Sequence, residues 1–177
     1  PAFTDYFDKK TFTYQDVAEQ VAQLHLLFKK LNVQKNDKIA LVGKNGSLWC
    51  ITYIATVTYG AVIVPMLQDF PPENLTNIIN HSDSKILFTS DYIWNKLNAE
   101  ELPNVESVIS LEKFECISTK EEKNAKFIAD AEKAFKEKYP NGFTKEDIKY
   151  AEVPNSNVVC FSYTSGTTGF SKGVMLT

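Results

Sequence analysis

Between residues 13 and 32 apolar side chains return every three or four positions: Val17, Val21, Leu24, Phe28 and Leu31 share one side of a 3.6-residue repeat. Thr13 followed by Asp16 reads as an N-cap with an acid in the first turn, so the spacing predicts a helix over 14–31 with Asn32 as its stop. The pattern then changes. KIALV (38–42) is a short continuous apolar run of the kind a buried strand presents, and GKNG ends it. Ser47 is read as the cap of a second helix reaching Tyr59, with Gly60 closing it, and AVIVPM (61–66) is again strand-like. Pro71 and Pro72 fall where prolines are tolerated, at the entry of a helix running to His81. ILFTS (86–90) is the next expected strand, 91–97 a short helix, and 105–111 another β-rich run.

Strand and helix therefore alternate through the first 111 residues, which predicts an α/β fold: a mostly parallel sheet flanked by helices on both faces. From Glu112 to Lys149 lysine and glutamate dominate, and Phe127, Ala131, Ala134 and Phe135 form one apolar stripe on an otherwise charged helix. We read this as a solvated helix packed by its narrow face, with a partner-binding helix as the alternative. After Pro154 the β pattern resumes in VVCFSY (158–163) and runs straight into a polar, glycine-rich segment. The organisation expected is an α/β subdomain over 1–111, a charged helical insertion over 112–150, and a strand with its following loop over 151–177.

Composition narrows the function classes. The chain has 177 residues, 44% hydrophobic and 23% charged with a net charge of -3, which suits a folded protein with one sizeable core. The slightly acidic balance supplies no basic field for a nucleic-acid backbone, so no nucleic-acid partner is expected. Three widely spaced cysteines without a CxxC pair indicate neither a disulfide framework nor a zinc site, and they fit a reducing, cytoplasmic setting. The longest apolar stretch is interrupted by threonines, Gly60 and Pro65, which is wrong for a bilayer span, and no signal-peptide pattern is visible; contact with a membrane surface stays open but is not indicated.

The segment SYTSGTTGFSKGVMLT (162–177) carries the chemistry. Gly166, Gly169 and Gly173 leave room for close approach, so successive backbone N–H groups can turn into one anion-binding concavity. Thr164, Ser165, Thr167, Thr168 and Ser171 add hydroxyl donors, and Lys172 adds a mobile positive charge. A triphosphate suits such a loop. Its position after a strand is where open α/β sheets bind ligands. A Walker A loop requires Gly-Lys-Ser/Thr, whereas here Ser171 precedes Lys172 and Gly173 follows it; GxGxxG and GxSxG are absent as well. The alternative is a flexible Gly/Ser/Thr linker, but linkers rarely place a lone lysine between two strand-like runs.

YTSGTTGFSKG (163–173) closely resembles the phosphate-binding signature of the adenylate-forming, AMP-binding superfamily of acyl-CoA synthetases, beetle luciferases and peptide-synthetase adenylation domains. The family pattern is [YF]TSG[ST]TGxPKG, and Ser171 is the one departure, standing where proline is usual. The stretch from FTYQDV through GAVIVPM resembles the opening of the same family, as does INHSDSKILF. The charged segment before the loop and the FSKGVML wording look most like bacterial long-chain fatty acyl-CoA ligases. The resemblance implies the N-terminal portion of the large domain of such an enzyme. It implies ATP and Mg²⁺ as cofactors, coenzyme A as co-substrate and a fatty acid as the acid partner. It places the phosphates against Thr164, Ser165, Gly166, Thr167, Thr168, Gly169 and Lys172. The family's ribose-binding aspartate, Thr-Glu pair and distal lysine follow this loop, so no catalytic or metal-binding residue is expected within 1–177, and this segment alone is expected to be inactive. The alternatives are a nucleotide-binding relative without chemistry, or an adenylating enzyme with another acceptor.

Among isolated candidates, His25 and His81 lack metal-spaced partners and read as structural. Asp69, Asp83 and Asp91 read as caps or solvated turns, Lys44-Asn45-Gly46 as a turn, and Trp49 and Trp94 as core.

Overall fold

The computed structural model describes residues 1–6, 8–164 and 172–177. A two-stranded antiparallel hairpin, β1 (Phe3–Thr4) and β2 (Thr11–Phe12), precedes helix α1 (Tyr14–Lys30). There follow β3 (Lys38–Val42), α2 (Ser47–Tyr59), β4 (Val62–Met66), α3 (Pro72–His81), β5 (Ser84–Thr89), α4 (Asp91–Trp94), β6 (Ser107–Ser110), β7 (Cys116–Thr119), α5 (Glu122–Ala129), α6 (Ala131–Lys138), β8 (Cys160–Thr164) and β9 (Lys172–Leu176). The main sheet has the order β7-β6-β5-β3-β4-β8-β9. Its five inner strands run parallel, and β7 and β9 close the two ends antiparallel.

Period-2 alternation along the strands divides the core into two layers. Ile39, Leu41, Ile63, Ile86, Phe88 and Ile109 face α1, α2 and α5, where Leu24, Phe28, Ile51 and Ile128 meet them. Ala40, Val42, Val64, Met66, Leu87 and Val108 face the opposite way, against Leu75, Ile78 and Ile79 of α3, Ile93 of α4, and Tyr163. Edge-on ring contacts run through the first layer from Tyr59 to Phe28, Phe88 and Phe114. This is the α/β fold, with a mostly parallel sheet flanked by helices, that the alternating pattern predicts.

The helix ends follow from local chemistry. Thr13 and Asp16 form a reciprocal capping box at the start of α1, and the hydrogen bonds from Thr13 hold the Asp16 carboxyl below its usual pKa. Asn32, with φ 57, turns the chain away after α1. Gly60 (φ 88) ends α2 in the left-handed region, a conformation glycine adopts without a Cβ penalty. At α2's start the N-cap is Gly46 rather than the predicted Ser47, and Gly46 brings no side-chain acceptor. Asp5 supplies it instead, accepting the Ser47 backbone N–H at 2.8 Å from the loop of the N-terminal hairpin.

Three expectations need correction. The helix predicted over 91–97 ends at Trp94 and continues as turns. The charged stretch is two helices: Asp130 ends α5 and precedes α6, with the backbone at φ -89, ψ 5 rather than helical, so the apolar stripe bends around this break and Ile128 and Ala131 become its buried members. The same stretch also contributes β7, paired antiparallel with β6.

Strand β4 is bonded unevenly to its two neighbours. Ile63 N–H reaches towards β8, donating to the Val159 carbonyl at 3.0 Å, whereas Val62 N–H points the other way to Asp37. By alternation the next donor towards β8 belongs to residue 65, which is proline and has no N–H. The ladder between β4 and β8 accordingly has a single registered pair, Ile63 with Cys160.

Candidate functional site

Strand β8 is parallel to β4, so its last residue, Thr164, emerges at the same end of the sheet as Val42, Met66 and Thr89. It pairs along its length with β9, and the register sets Thr164 opposite Lys172 and Tyr163 opposite Gly173. The two strands deliver a hydroxyl and an ammonium group side by side at the mouth of the segment that joins them. Both residues are exposed. Of the predicted site residues, the structure brings Thr164 and Lys172 together; Ser165, Gly166, Thr167, Thr168 and Gly169 lie outside the described residues.

Beneath this mouth the hairpin is locked by packing. Tyr163 is 9% exposed and sits in the α3-side core layer. A Cβ added at Gly173 would stand 3.0 Å from Tyr163 Cζ, so the tyrosine ring lies directly over the glycine. The Tyr163 hydroxyl meets Nδ1 of His81 at 2.7 Å, and the two rings meet edge-on with centroids 5.8 Å apart. Burial first, and the charge of Asp83 second, push the phenol pKa up, so this hydroxyl keeps its proton. On the other side of the sheet, burial likewise raises the Cys160 thiol, while a hydrogen bond with Tyr53 acts in the opposite direction.

The remaining candidates resolve into structure. His25 Nε2 lies 3.0 Å from both the Ala55 carbonyl and Thr58 Oγ1. A carbonyl only accepts, so Nε2 carries a proton and His25 ties α1 to the last turn of α2. Asp91 stands in the first turn of α4 behind its N-cap Ser90, and Asp83 occupies a left-handed turn with φ 53. Trp49 and Trp94 pack against the two core layers as partly buried side chains. His81 is the exception, since its contact with Tyr163 places it against the candidate site; the pairing spans 82 positions and gives no signal in either residue's local pattern.

A cleft of ≈ 330 Å³ lies between α1 and the 138–151 segment, lined in part by His25, Lys29, Tyr59 and Tyr139, with no residue of β8 or β9. Among the described residues no group of three His, Cys, Asp or Glu side chains converges as a metal site. Among them too, no helix is long and apolar enough to cross a membrane, and Cys50, Cys116 and Cys160 are all free thiols.

With this geometry in place, comparison with known proteins assigns the family. The family described as AMP-binding enzyme matches residues 1–177, and this chain belongs to it. It is 29% identical over 184 residues to luciferin 4-monooxygenase of Photuris pensylvanica, covering 99% of this chain and 31% of that protein. To long chain acyl-CoA synthetase 4 of Arabidopsis thaliana it is 27% identical over 165 residues, covering 93% of this chain and 24% of that protein. Among solved structures it superposes with a TM-score of 0.75 on the anthranilate CoA ligase AuaEII in complex with anthranoyl-AMP, at 17% identity, covering 98% of this chain and 30% of that one. The chain thus spans roughly a quarter to a third of the length of the relatives it matches.

Proposed function

We propose that this chain is the N-terminal part of an ATP-dependent, AMP-forming acyl-CoA ligase that activates a long-chain fatty acid. A carboxylate oxygen of the acid attacks the α-phosphorus of ATP. The bond to the β-phosphate oxygen breaks, and pyrophosphate leaves behind an acyl adenylate. The thiolate of coenzyme A then attacks the acyl carbonyl carbon, and AMP departs as the thioester forms. In this scheme residues 164–172 hold the β- and γ-phosphates, where charge accumulates as pyrophosphate separates. Lys172 supplies a positive charge and Thr164 a hydroxyl donor; Ser165, Gly166, Thr167, Thr168 and Gly169 supply the loop between them.

One observation supports the reading above the others: the AMP-binding enzyme family matches residues 1–177, and Thr164 and Lys172, the two described residues of the candidate phosphate loop, pair at the carboxyl end of β8. The fatty-acid assignment is supported by the long-chain synthetase among the relatives and by the resemblance of the loop wording. Mg²⁺ would assist by neutralising phosphate charge, and no residue of this chain is assigned to it. We place the protein in the cytoplasm, in keeping with its free cysteines. The luciferase relative supports a second reading, an adenylating enzyme whose acyl adenylate passes to another acceptor.

The test is carboxylate-dependent exchange of labelled pyrophosphate into ATP by the intact protein, across saturated acids of increasing length, followed by thioester formation on adding coenzyme A. Exchange that peaks with long acids and proceeds to the thioester is the expected result. Exchange without thioester would favour the second reading. Absence of exchange with every acid would overturn both.

A further inference from the structure

The hairpin that carries Thr164 and Lys172 is joined to its neighbour strand by one registered pair, because Pro65 withholds the next donor. Something else must fix its position. The side-chain contacts beneath the loop mouth meet that need, and they converge on a single ring. Tyr163 precedes Thr164, and its partner Gly173 follows Lys172, so the tyrosine ring and the glycine beneath it clamp both strands one residue below the loop. The ring is then fixed at its far end: the hydroxyl meets His81 Nδ1 at 2.7 Å and the imidazole stands edge-on to it at 89°. His81 is the last residue of α3, whose Leu75, Ile78 and Ile79 are anchored in the core.

Resting on the phosphate-loop reading above, we infer that His81 is a positioning residue for nucleotide binding, acting through Tyr163 to set where the hairpin presents Thr164 and Lys172. The hydrogen bond converts a ring that could slide along α3 into a strut with two fixed ends. Losing it leaves the fold standing, because the ring remains buried, but it lets the two loop-bearing strands shift against the sheet. Binding that depends on several donors meeting phosphate oxygens together is sensitive to such displacement.

The experiment compares Tyr163→Phe, His81→Leu, the double variant and His81→Gln in the intact protein, with Lys172→Ala as the reference for the loop. Each of the changes Tyr163→Phe and His81→Leu should raise the KM for ATP about threefold to tenfold, the range expected for one hydrogen bond, with kcat and the KM for the acid nearly unchanged. The double variant should be no worse than either single one, since both remove the same contact. His81→Gln, which keeps a hydrogen-bonding side chain, should recover most of the loss. Tyr163→Phe removes one oxygen and preserves the ring packing, so it decides the matter if His81→Leu folds poorly. An unchanged KM for ATP in Tyr163→Phe, or effects that add in the double variant, would overturn the role of His81 while Lys172→Ala still impairs ATP use. If Lys172→Ala is also without effect, the phosphate-loop reading itself fails, and the two failures are distinguishable.

Discussion

Asp5 caps a helix that begins 42 residues later: its Oδ1 accepts the backbone N–H of Ser47 at 2.8 Å, at the start of α2. Gly46, the N-cap residue, has no side chain to offer, and the α2 first turn contains no acid of its own. The carboxylate therefore satisfies an orphan donor and adds negative charge at the positive end of the helix dipole. Asp5→Ala should lower the unfolding free energy by about 1 kcal/mol, while Asp5→Asn should lose only part of that. Urea unfolding of the two variants measures the difference, and equal stability of Asp5→Ala and the parent would show that the contact contributes nothing to α2.

His25 makes stability depend on pH. Burial lowers its pKa below the usual value of about 6.5, only partly opposed by the hydrogen bond to the Ala55 carbonyl. Its folded pKa is depressed, so the unfolded chain takes up the proton first as pH falls. The stability associated with the neutral ring is fully present above about pH 6.5 and is lost progressively as pH drops towards the folded pKa. Stability measured between about pH 7 and pH 5 should decline, and His25→Gln should flatten that decline. An unaltered slope in the variant would mean that other groups carry it.

Gly60 and Gly142 both have positive φ, at 88 and 93, yet they should respond differently to alanine. Each substitution incurs the left-handed backbone cost of roughly 1–2 kcal/mol. At Gly60 the new Cβ would also approach Ala151 Cβ to 3.1 Å, whereas at Gly142 nothing lies within 4 Å. Gly60→Ala should be the more destabilising of the two in thermal unfolding. The reverse order would mean that the crowding at Ala151 relaxes freely.

Phe88 is fully buried and touches the rings of Phe28 and Phe114 edge-on. Truncating it removes the link in the middle of that aromatic chain and leaves a cavity between α1 and the sheet. Phe88→Ala should cost about 3–5 kcal/mol, and Phe88→Leu much less. Denaturant midpoints test both.

Lys172→Ala tests the loop. Losing one charge-assisted phosphate contact, worth about 1.5–3 kcal/mol, should lower ATP-dependent rate by roughly tenfold to a hundredfold. In the role proposed for it Lys172 meets phosphate and not the acyl chain, so the apparent affinity for the acid should hardly move. Steady-state kinetics with each substrate varied in turn provide the measurement. A matching loss in acid affinity would argue for a different role.

The α/β frame was legible because its signals are local. Val17 to Leu31 repeat with helical period, KIALV and ILFT are continuous apolar runs, and Gly60 and Pro72 mark helix ends by their own backbone preferences. β1 and β2 were not legible: two residues each carry no periodicity. β7 was hidden in a lysine- and glutamate-rich stretch whose composition favours helix, and Asp130 gives no strong break signal although it separates α5 from α6. The letters of the proposed phosphate loop stand out in the sequence, and the register of β8 with β9 explains why Thr164 faces Lys172. Asp5 and His81 could not be found this way, because each acts on a partner far away in the chain.

The missing donor at Pro65 bears on how the molecule breathes. Five registered pairs join β3 to β4, but only one joins β4 to β8, so the sheet's cohesion falls abruptly at that seam. Elements with few shared backbone hydrogen bonds open on their own, well below the free energy of global unfolding. Amides of β8 and β9 should therefore exchange with solvent long before those of β3 and β5, in a unit that detaches while the central strands stay closed. A nucleotide gripping this hairpin would slow that exchange, so occupancy would register first as stiffening of one margin of the protein.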